Sequence, residues 1–459
     1  MWVPLYHDLG LIGNILFSLY VGSHCVVMAP ETFLRSPLNW LNAISKYKAD
    51  ISFAPTFAYD YSLRYAKELS PDIVDLRHWR VAVVGAEPIY QGTLERFSKS
   101  FAHLGFSINN FHCAYGLAES TLMVVTTPYR QGPKFKRLDA AHLEQGIAQE
   151  TISDNPREYR TVVSSGVAGA DHSVVIVDPH TAQRCPDGQV GEIWLSGPCI
   201  TKGYFQNETA TADMFSVQIE GFAGKSFLRT GDTGFIDQGE LYPTGRIKDL
   251  IIINGANHYP QDIEQTAFLA DPTLRIGCAA AFSIVSEDAE RLVVTVEVRK
   301  EVAETLNAQQ VITNVMTKVR DIHGLVPHDL LLIPAGTLSK TSSGKIQRQL
   351  TKKRYLNGEI PVIAQFREEP PAVQESPELV DLRNWIQFIL AEAIGKPIGA
   401  IRLENHVTQV GIDSVKVVAI LDKVAARIGV DIKELKPWEF DSIDGWIVSL
   451  AHMELEKGR

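Results

Sequence analysis

The chain has 459 residues, 45% of them hydrophobic, 21% charged and 9% aromatic, a composition that fits about three globular domains and excludes a mostly disordered chain, a coiled coil or a collagen-like repeat. Lysine and arginine number 44 against 54 aspartate and glutamate, a net charge of −10, so the surface as a whole does not attract phosphate backbones and nucleic acid is not an expected partner. The five cysteines (Cys25, Cys113, Cys185, Cys199 and Cys278) lie far apart and form no CxxC pair, which suits a reducing cytoplasm better than a disulfide framework or a clustered metal site.

In chain order, the first question is residues 9–30, which contain no Asp, Glu, Lys or Arg and are long enough to be tested as a membrane span. Gly10, Gly13, Asn14, Gly22, Ser23 and His24 interrupt the stretch and no basic cluster precedes it. The expectation is therefore a buried helix followed by a buried strand at 24–29, not a span or a signal peptide. Residues 1–130 alternate short apolar strands (25–28, 51–54, 80–84, 108–112) with helical patterns (38–47, 93–102), as in an α/β layer. Residues 134–160 are polar and read as an excursion from the core. Strand signals dominate 172–255, with turns at Asp187-Gly188 and Gln238-Gly239. A smaller α+β unit follows, with a strand at 292–298 and a helix around 311–319. Residues 361–377, with Pro370-Pro371, have the composition of a linker. In the last stretch, Leu382, Trp385, Ile386 and Ile389 fall at i, i+3, i+4 and i+7, one face of a helix. The expected fold class is thus α/β with a β-rich subdomain, a small α+β domain and an all-α unit. The boundaries are 1–247, 248–360, a linker at 361–377, and 378–459.

Four clusters carry candidate chemistry. Thr341-Ser342-Ser343-Gly344-Lys345-Ile346-Gln347-Arg348 suits delivery of one cation to a phosphate; read alone, it is equally a polar turn before a basic helix, and it is not a Walker A loop. Tyr115-Gly116-Leu117-Ala118-Glu119-Ser120 offers a stacking face, a close backbone approach and a carboxylate for Mg²⁺, or simply a strand-to-helix turn. In Arg229-Thr230-Gly231-Asp232-Thr233-Gly234, Asp232 can accept from two vicinal hydroxyls or serve as a turn aspartate. Gly245-Arg246-Ile247-Lys248-Asp249 is either a functional basic turn or solvated surface.

Together and in this order, the clusters resemble the adenylate-forming superfamily of acyl-CoA synthetases, luciferases and adenylation domains. The resemblance implies that Tyr115-Gly116 and Gly85-Ala86-Glu87-Pro88 surround the adenine of ATP or AMP, that Asp232 binds ribose and that Arg246 contacts the nucleotide. It also implies that Glu119 lies near Mg²⁺, that Lys345 reaches the carboxylate and α-phosphate during adenylation, and that Lys248 is the hinge of a mobile small domain. A narrower resemblance is to fatty acyl-AMP ligases. It rests on Trp2-Val3-Pro4-Leu5-Tyr6-His7-Asp8-Leu9-Gly10-Leu11, which makes His7 a substrate-side catalytic candidate, on Gly191-Glu192-Ile193-Trp194-Leu195-Ser196-Gly197-Pro198, and on an insertion at 134–160 that the family associates with loss of transfer to free coenzyme A. An amino-acid-activating domain would show a Phe-Asp-type motif near residue 7, which is missing.

The C-terminal unit resembles an acyl or peptidyl carrier domain, with Gly411-Ile412-Asp413-Ser414-Val415-Lys416 ahead of a helix at 415–427. This implies 4'-phosphopantetheine on Ser414, although Val415 replaces the usual Leu. Read alone, Ser414 is a helix N-cap. The family's Pro-Lys-Gly loop for the ATP pyrophosphate is not in the sequence and is expected upstream of residue 1 or on another polypeptide. The expected partners are a fatty acid, a phosphopantetheinyl transferase and a downstream polyketide or peptide synthase. A carrier-only chain and an acyl-CoA synthetase are the alternatives.

Overall fold

The computed structural model describes all residues except 223, 254, 287–288, 342–343, 369–376, 404, 411–413, 441 and 458–459. The described chain divides into two compact units, Met1–Glu368 and Glu369–Arg459.

The first unit begins with a mixed sheet. Its strands are β1 (Ile51–Ala54), β2 (Val81–Val84), β3 (Phe111–Tyr115) and β4 (Val125–Thr126). Pairing is parallel for β1–β2 and β2–β3, then antiparallel for β3–β4. The parallel strands are short apolar runs, as strands covered on both faces must be. The helices Leu38–Tyr47 and Gln91–Phe101 share their core. Aromatic packing dominates it: Trp40 meets Trp79 edge-on at 5.1 Å, and Tyr59 meets Phe97 and Phe111, each at 5.1 Å. Strand β3 starts at Phe111, later than expected, because Ser107 caps a 3-10 turn over Ile108–Asn110.

The expected buried helix and strand at 9–30 are corrected. The helical stretch contains a π-helical segment, Leu11–Leu16, and is largely exposed, with Leu19 73% and Tyr20 90% accessible. Gly13 packs toward Phe53 and Leu122 and Leu9 joins the core, while Leu11, Leu16, Phe17, Leu19 and Tyr20 are exposed. Residues 24–29 are extended but form no strand, since their pairing is confined to the N-terminal residue: Val26 O accepts from the α-amine at 2.6 Å and Met28 N–H donates to Met1 O.

The polar stretch 134–160 is more ordered than expected. β5 (Phe135–Asp139) and β6 (Tyr159–Val163) pair antiparallel around the short helix Ala140–Glu144. Leu138 and Leu143 fill a small core with Phe235, Tyr242 and Tyr259. Strand β7 (Val167–Ala168) then returns to β4. β8 (Ser173–Val177), β9 (Gly191–Ser196), β10 (Leu228–Asp237) and β11 (Glu240–Arg246) form an antiparallel sheet in the order β11-β10-β9-β8.

The chain next makes the hairpin β12 (Ile251–Ile253) and β13 (Ala256–His258), then a sheet of β14 (Leu274–Ser286), β15 (Ala289–Val298), β16 (Asp329–Ile333) and β17 (Ala364–Arg367). The helices Pro260–Phe268 and Ala308–His323 close its core through Ile263, Val315 and Val319. β17 corrects the expected linker, because residues 364–367 complete this sheet. The period-2 pattern explains it: Ala364 and Phe366 pack on the core, while Gln365 and Arg367 donate to the fully buried Asp329.

The second unit packs the helices Pro377–Ile394, Ser414–Ile428 and Ile443–Lys457 around Leu382, Ile386, Val424, Trp446 and Ile447. Trp385 lies at the rim of that face, under the Arg427 guanidinium at 4.5 Å. The remaining described elements of this unit are short 3-10 turns. Pro370-Pro371 and Gly411-Ile412-Asp413 lie outside the described residues. Among the described residues no helix is long and apolar enough to cross a membrane.

Candidate active site

Three successive parallel strands end on the same side, and the candidate runs 85–88 and 115–120 lie at the carboxyl ends of β2 and β3, where open α/β sheets characteristically bind ligands. After β2, Gly85 lies so close to β3 that a Cβ would come within 2.5 Å of the Ala114 carbonyl oxygen. Ala86 takes φ +65°. This turn directs Glu87 back to the end of β1, where its Oε1 accepts from Phe57 N–H at 2.6 Å. Burial pushes the Glu87 carboxyl up to about 7, against the opposing pull of the Phe57 N–H, Lys345 and Lys340.

At the end of β3, the Tyr115 hydroxyl donates to Asp232 Oδ2 at 2.9 Å. Gly116 admits no side chain, since a Cβ would lie 1.8 Å from Leu122 O. Asp232 and Arg246 are partners across β10–β11, so Arg246 Nε reaches Asp232 Oδ1 at 2.7 Å as a cross-strand pair. Burial raises the Asp232 pKa even though Arg246 and Tyr115 oppose it, and the Asp232 charge raises that of Arg246.

Lys345 arrives from the small α+β part. Its loop is closed by Thr341 N–H to Lys345 O at 2.8 Å and Gln347 N–H to Ser339 O at 2.9 Å. Gly344, at φ +89°, places the loop against the Phe57 ring. The Lys345 side chain is partly open to solvent, yet enough protein surrounds its ammonium that desolvation, helped by Arg246, lowers its pKa. Asp8, Asp232 and Glu87 pull the other way. Side chains from residues 8, 87, 232, 246 and 345 thus share one electrostatic field, although Ser342 and Ser343 of the same loop lie outside the described residues.

His7 caps the first helical turn, with Leu9 N–H donating to His7 Nδ1 at 3.2 Å and to Asp8 Oδ1 at 2.6 Å. The His7 ring faces the Asp8 carboxylate at 2.6 Å. Burial acts to raise the Asp8 pKa, but His7, the Leu9 N–H and Lys345 outweigh it and hold the group below its usual range. Asp8 stands in the quoted N-terminal motif, yet sequence reasoning singled out only His7.

Glu119 follows β3 in a 3-10 turn and accepts from the Tyr204 hydroxyl at 2.7 Å. Burial, then Glu119, pushes that hydroxyl up to about 12. Tyr204 is a second residue the sequence reading missed, since it comes from a loop 85 positions away. Among the described residues no group of three His, Cys, Asp or Glu could hold a metal by itself. One carboxylate such as Glu119 fits Mg²⁺ that arrives with substrate phosphates and keeps most of its oxygen ligands from them and from water.

Lys248 lies in the 3-10 turn Ile247–Asp249 between β11 and β12, and its carbonyl accepts from Gln349 at 2.8 Å. The neighbouring Asp249 pairs with Arg348 at 2.9 Å, and Arg348 also grips Glu264 at 2.6 Å. The hinge candidate therefore touches the helix that directly follows the lysine loop. In the other unit, Ser414 is the first residue of the helix Ser414–Ile428, while its side chain is outside the description.

Residues 1–205 match the family described as AMP-binding enzyme, and residues 248–365 match the one described as Disco-interacting protein 2-like, AMP domain. A medium-chain-fatty-acid acyl-carrier-protein ligase of Moorena producens is 40% identical over 78% of this chain and 60% of its own length. A long-chain-fatty-acid AMP ligase of Mycolicibacterium smegmatis is 35% identical over 78% of this chain and 62% of its own. Among solved structures, one from work on fatty acyl-adenylate ligases of E. coli and L. pneumophila superposes with a TM-score of 0.69 at 33% identity, covering 78% of this chain and 62% of that one. The L. pneumophila ligase in complex with acyl adenylate and pyrophosphate is 36% identical, with a TM-score of 0.53 over 80% and 63% of the two chains. The chain spans about three fifths of the length of these curated relatives.

Proposed function

Because the chain belongs to the AMP-binding, adenylate-forming superfamily, with fatty acyl-AMP and acyl-carrier-protein ligases among its homologues, we propose that it takes part in activating a fatty acid as its acyl-AMP. The observation that carries this reading is the gathering of Asp8, Glu87, Asp232, Arg246 and Lys345 at the carboxyl ends of three parallel strands. In the reaction, a carboxylate oxygen of the fatty acid attacks the α-phosphate of ATP, the bond to the β-phosphate breaks, and pyrophosphate leaves.

Asp232 has the chemistry to accept both ribose hydroxyls, with Arg246 and Tyr115 fixing its orientation. Gly85, Ala86 and Gly116 give a nucleobase room to approach the backbone, next to the Tyr115 ring. Lys345 places one cation against charge that grows on the α-phosphate, where a fixed, partly desolvated cation is most effective. His7 and Asp8 line the substrate side and hold Lys345 in place through the Asp8 charge. Mg²⁺ held near Glu119 supplies neutralisation of phosphate charge.

We further propose that residues 378–459 are a carrier domain and that Lys248 is the hinge about which residues 248–360 reorient after adenylation. In this reading Ser414 carries 4'-phosphopantetheine, supported by its position as the first residue of a helix, whose N-terminus favours a phosphate; when bound, that group supplies a thiol acceptor for the acyl chain. The five free thiols suit a reducing cytoplasm, and a polyketide or peptide synthase is the proposed consumer of the acyl group. Fatty-acid-dependent exchange of radiolabelled pyrophosphate into ATP tests the adenylation step. Exchange that requires both the fatty acid and Mg²⁺ supports it, and exchange indifferent to the fatty acid sinks it.

A further inference from the structure

The base of the lysine loop is fastened by a contact that adenylation does not use. Lys340 Nζ lies 3.1 Å from Cys278 Sγ and 3.2 Å from the Gly277 carbonyl oxygen. Cys278 sits on β14 and is only 4% exposed. It follows Gly277, which takes φ +68° inside the register shift between Leu274 and Ala279. A bulge of this kind re-aims one side chain of a strand, and here it brings the thiol to an amine. All five cysteines are free, so this sulfur meets a nitrogen and not a second sulfur.

We propose that Lys340 and Cys278 are an oxidative modification site, at which hydrogen peroxide joins the two side chains through a single oxygen as an N–O–S bridge. Burial narrows the chemistry: at 4% exposure the sulfur is closed to a bulky thiol such as glutathione, which leaves a small oxidant such as hydrogen peroxide as the reagent proposed. In the first step the sulfur attacks peroxide and the O–O bond breaks. Cys278 becomes a sulfenic acid, sulfur loses two electrons, and one water leaves. In the second step the Lys340 ammonium gives a proton to water, and the freed amine bonds to the sulfenic oxygen. One N–H and the O–H bond break, and a second peroxide takes up the two electrons and two protons to become two waters. Two equivalents of dithiol reverse the bridge: the oxygen leaves as water, both dithiols become disulfides, and amine and thiol are restored.

The bridge would tie the loop to β14, since Lys340 pairs with Ile346 across the loop that presents Lys345. It would also remove the Lys340 charge that faces Glu87. The proposal does not depend on the adenylation reading.

The test treats the full chain with ¹⁸O-labelled hydrogen peroxide, digests it without reductant and reads the peptides by mass spectrometry. The expected product is one joined pair of peptides containing Lys340 and Cys278, heavier than their sum by one labelled oxygen less two hydrogens. It should disappear after dithiothreitol and be lost in both Lys340→Arg and Cys278→Ser. Three outcomes would overturn the proposal: Cys278 recovered as a free thiol, Cys278 as sulfenic or sulfinic acid beside an unmodified Lys340, or a joined pair that lacks the oxygen. The unsubstituted chain decides the matter even if a variant fails to fold.

Discussion

Lys345 and Glu87 come from opposite parts of the first unit and feel each other's charge, and each is shifted from its ordinary ionisation chiefly by desolvation. On the proposed role, Lys345→Ala removes pyrophosphate exchange while leaving the thermal midpoint nearly unchanged, because the side chain is partly exposed and leaves no core cavity. Unchanged exchange would take Lys345 out of the reaction. Glu87 gives a pH signature of its own. Its folded pKa of about 7 stands above the ordinary 4.5, so the folded state holds the proton more tightly than the unfolded one. The resulting contribution to stability is complete below pH 4.5 and declines as pH rises, until it is gone above about pH 7. Its size is on the order of 3 kcal/mol. Glu87→Gln should flatten that part of the stability–pH curve, as read by denaturant unfolding at several pH values; an unaltered slope would mean that Glu87 titrates normally. Most of these residues were legible because their motifs bundle rare residue types in short runs. Asp8 and Tyr204 were not, because Asp8 acts through its charge on Lys345 and Tyr204 through a hydrogen bond to Glu119, each far off in sequence.

Elements with a full period were readable in advance: the helices Leu38–Tyr47 and Gln91–Phe101 and the strand Ile51–Ala54 fall where the apolar spacing put them. Residues 24–29 were not readable in the same way, since a short apolar run does not say whether a neighbouring strand exists to pair with. β17 was masked by the prolines and glutamates around it, and only its neighbour β16, with the buried Asp329, shows why Gln365 and Arg367 alternate with apolar residues. The turn after β3 is the most sterically constrained of these elements. Gly116→Ala would drive a methyl into the Leu122 carbonyl, an overpacking cost of about 1–3 kcal/mol or more. A lowered thermal midpoint and weaker nucleotide binding are expected together; an unchanged midpoint would show that the turn relaxes freely. The 134–160 stretch is anchored as an element too. Arg157 pairs with Asp321, and Arg160 reaches the Ile322 carbonyl and the His323 ring. Arg160→Ala should therefore speed amide hydrogen exchange in β5 and β6, and exchange rates equal to those of the parent chain would show that the hairpin holds itself.

For the molecule as a whole, the two units have separate hydrophobic cores, one of them built, among the described residues, only from positions beyond 368, Leu382, Ile386, Val424 and Ile447 included. Calorimetry should resolve two unfolding transitions, and a single cooperative transition would show that the units stabilise one another. The central claim concerns the chemistry that joins them: an acyl group activated by the first unit and received on Ser414 of the second. Intact mass of the full chain tests it most directly, after incubation with a phosphopantetheinyl transferase, coenzyme A, ATP, Mg²⁺ and a mixture of fatty acids. The account predicts a phosphopantetheine increment followed by an acyl increment that requires ATP, both lost in Ser414→Ala and the second lost in Lys345→Ala. A phosphopantetheine increment with no ATP-dependent acyl increment would contradict it and leave only a carrier.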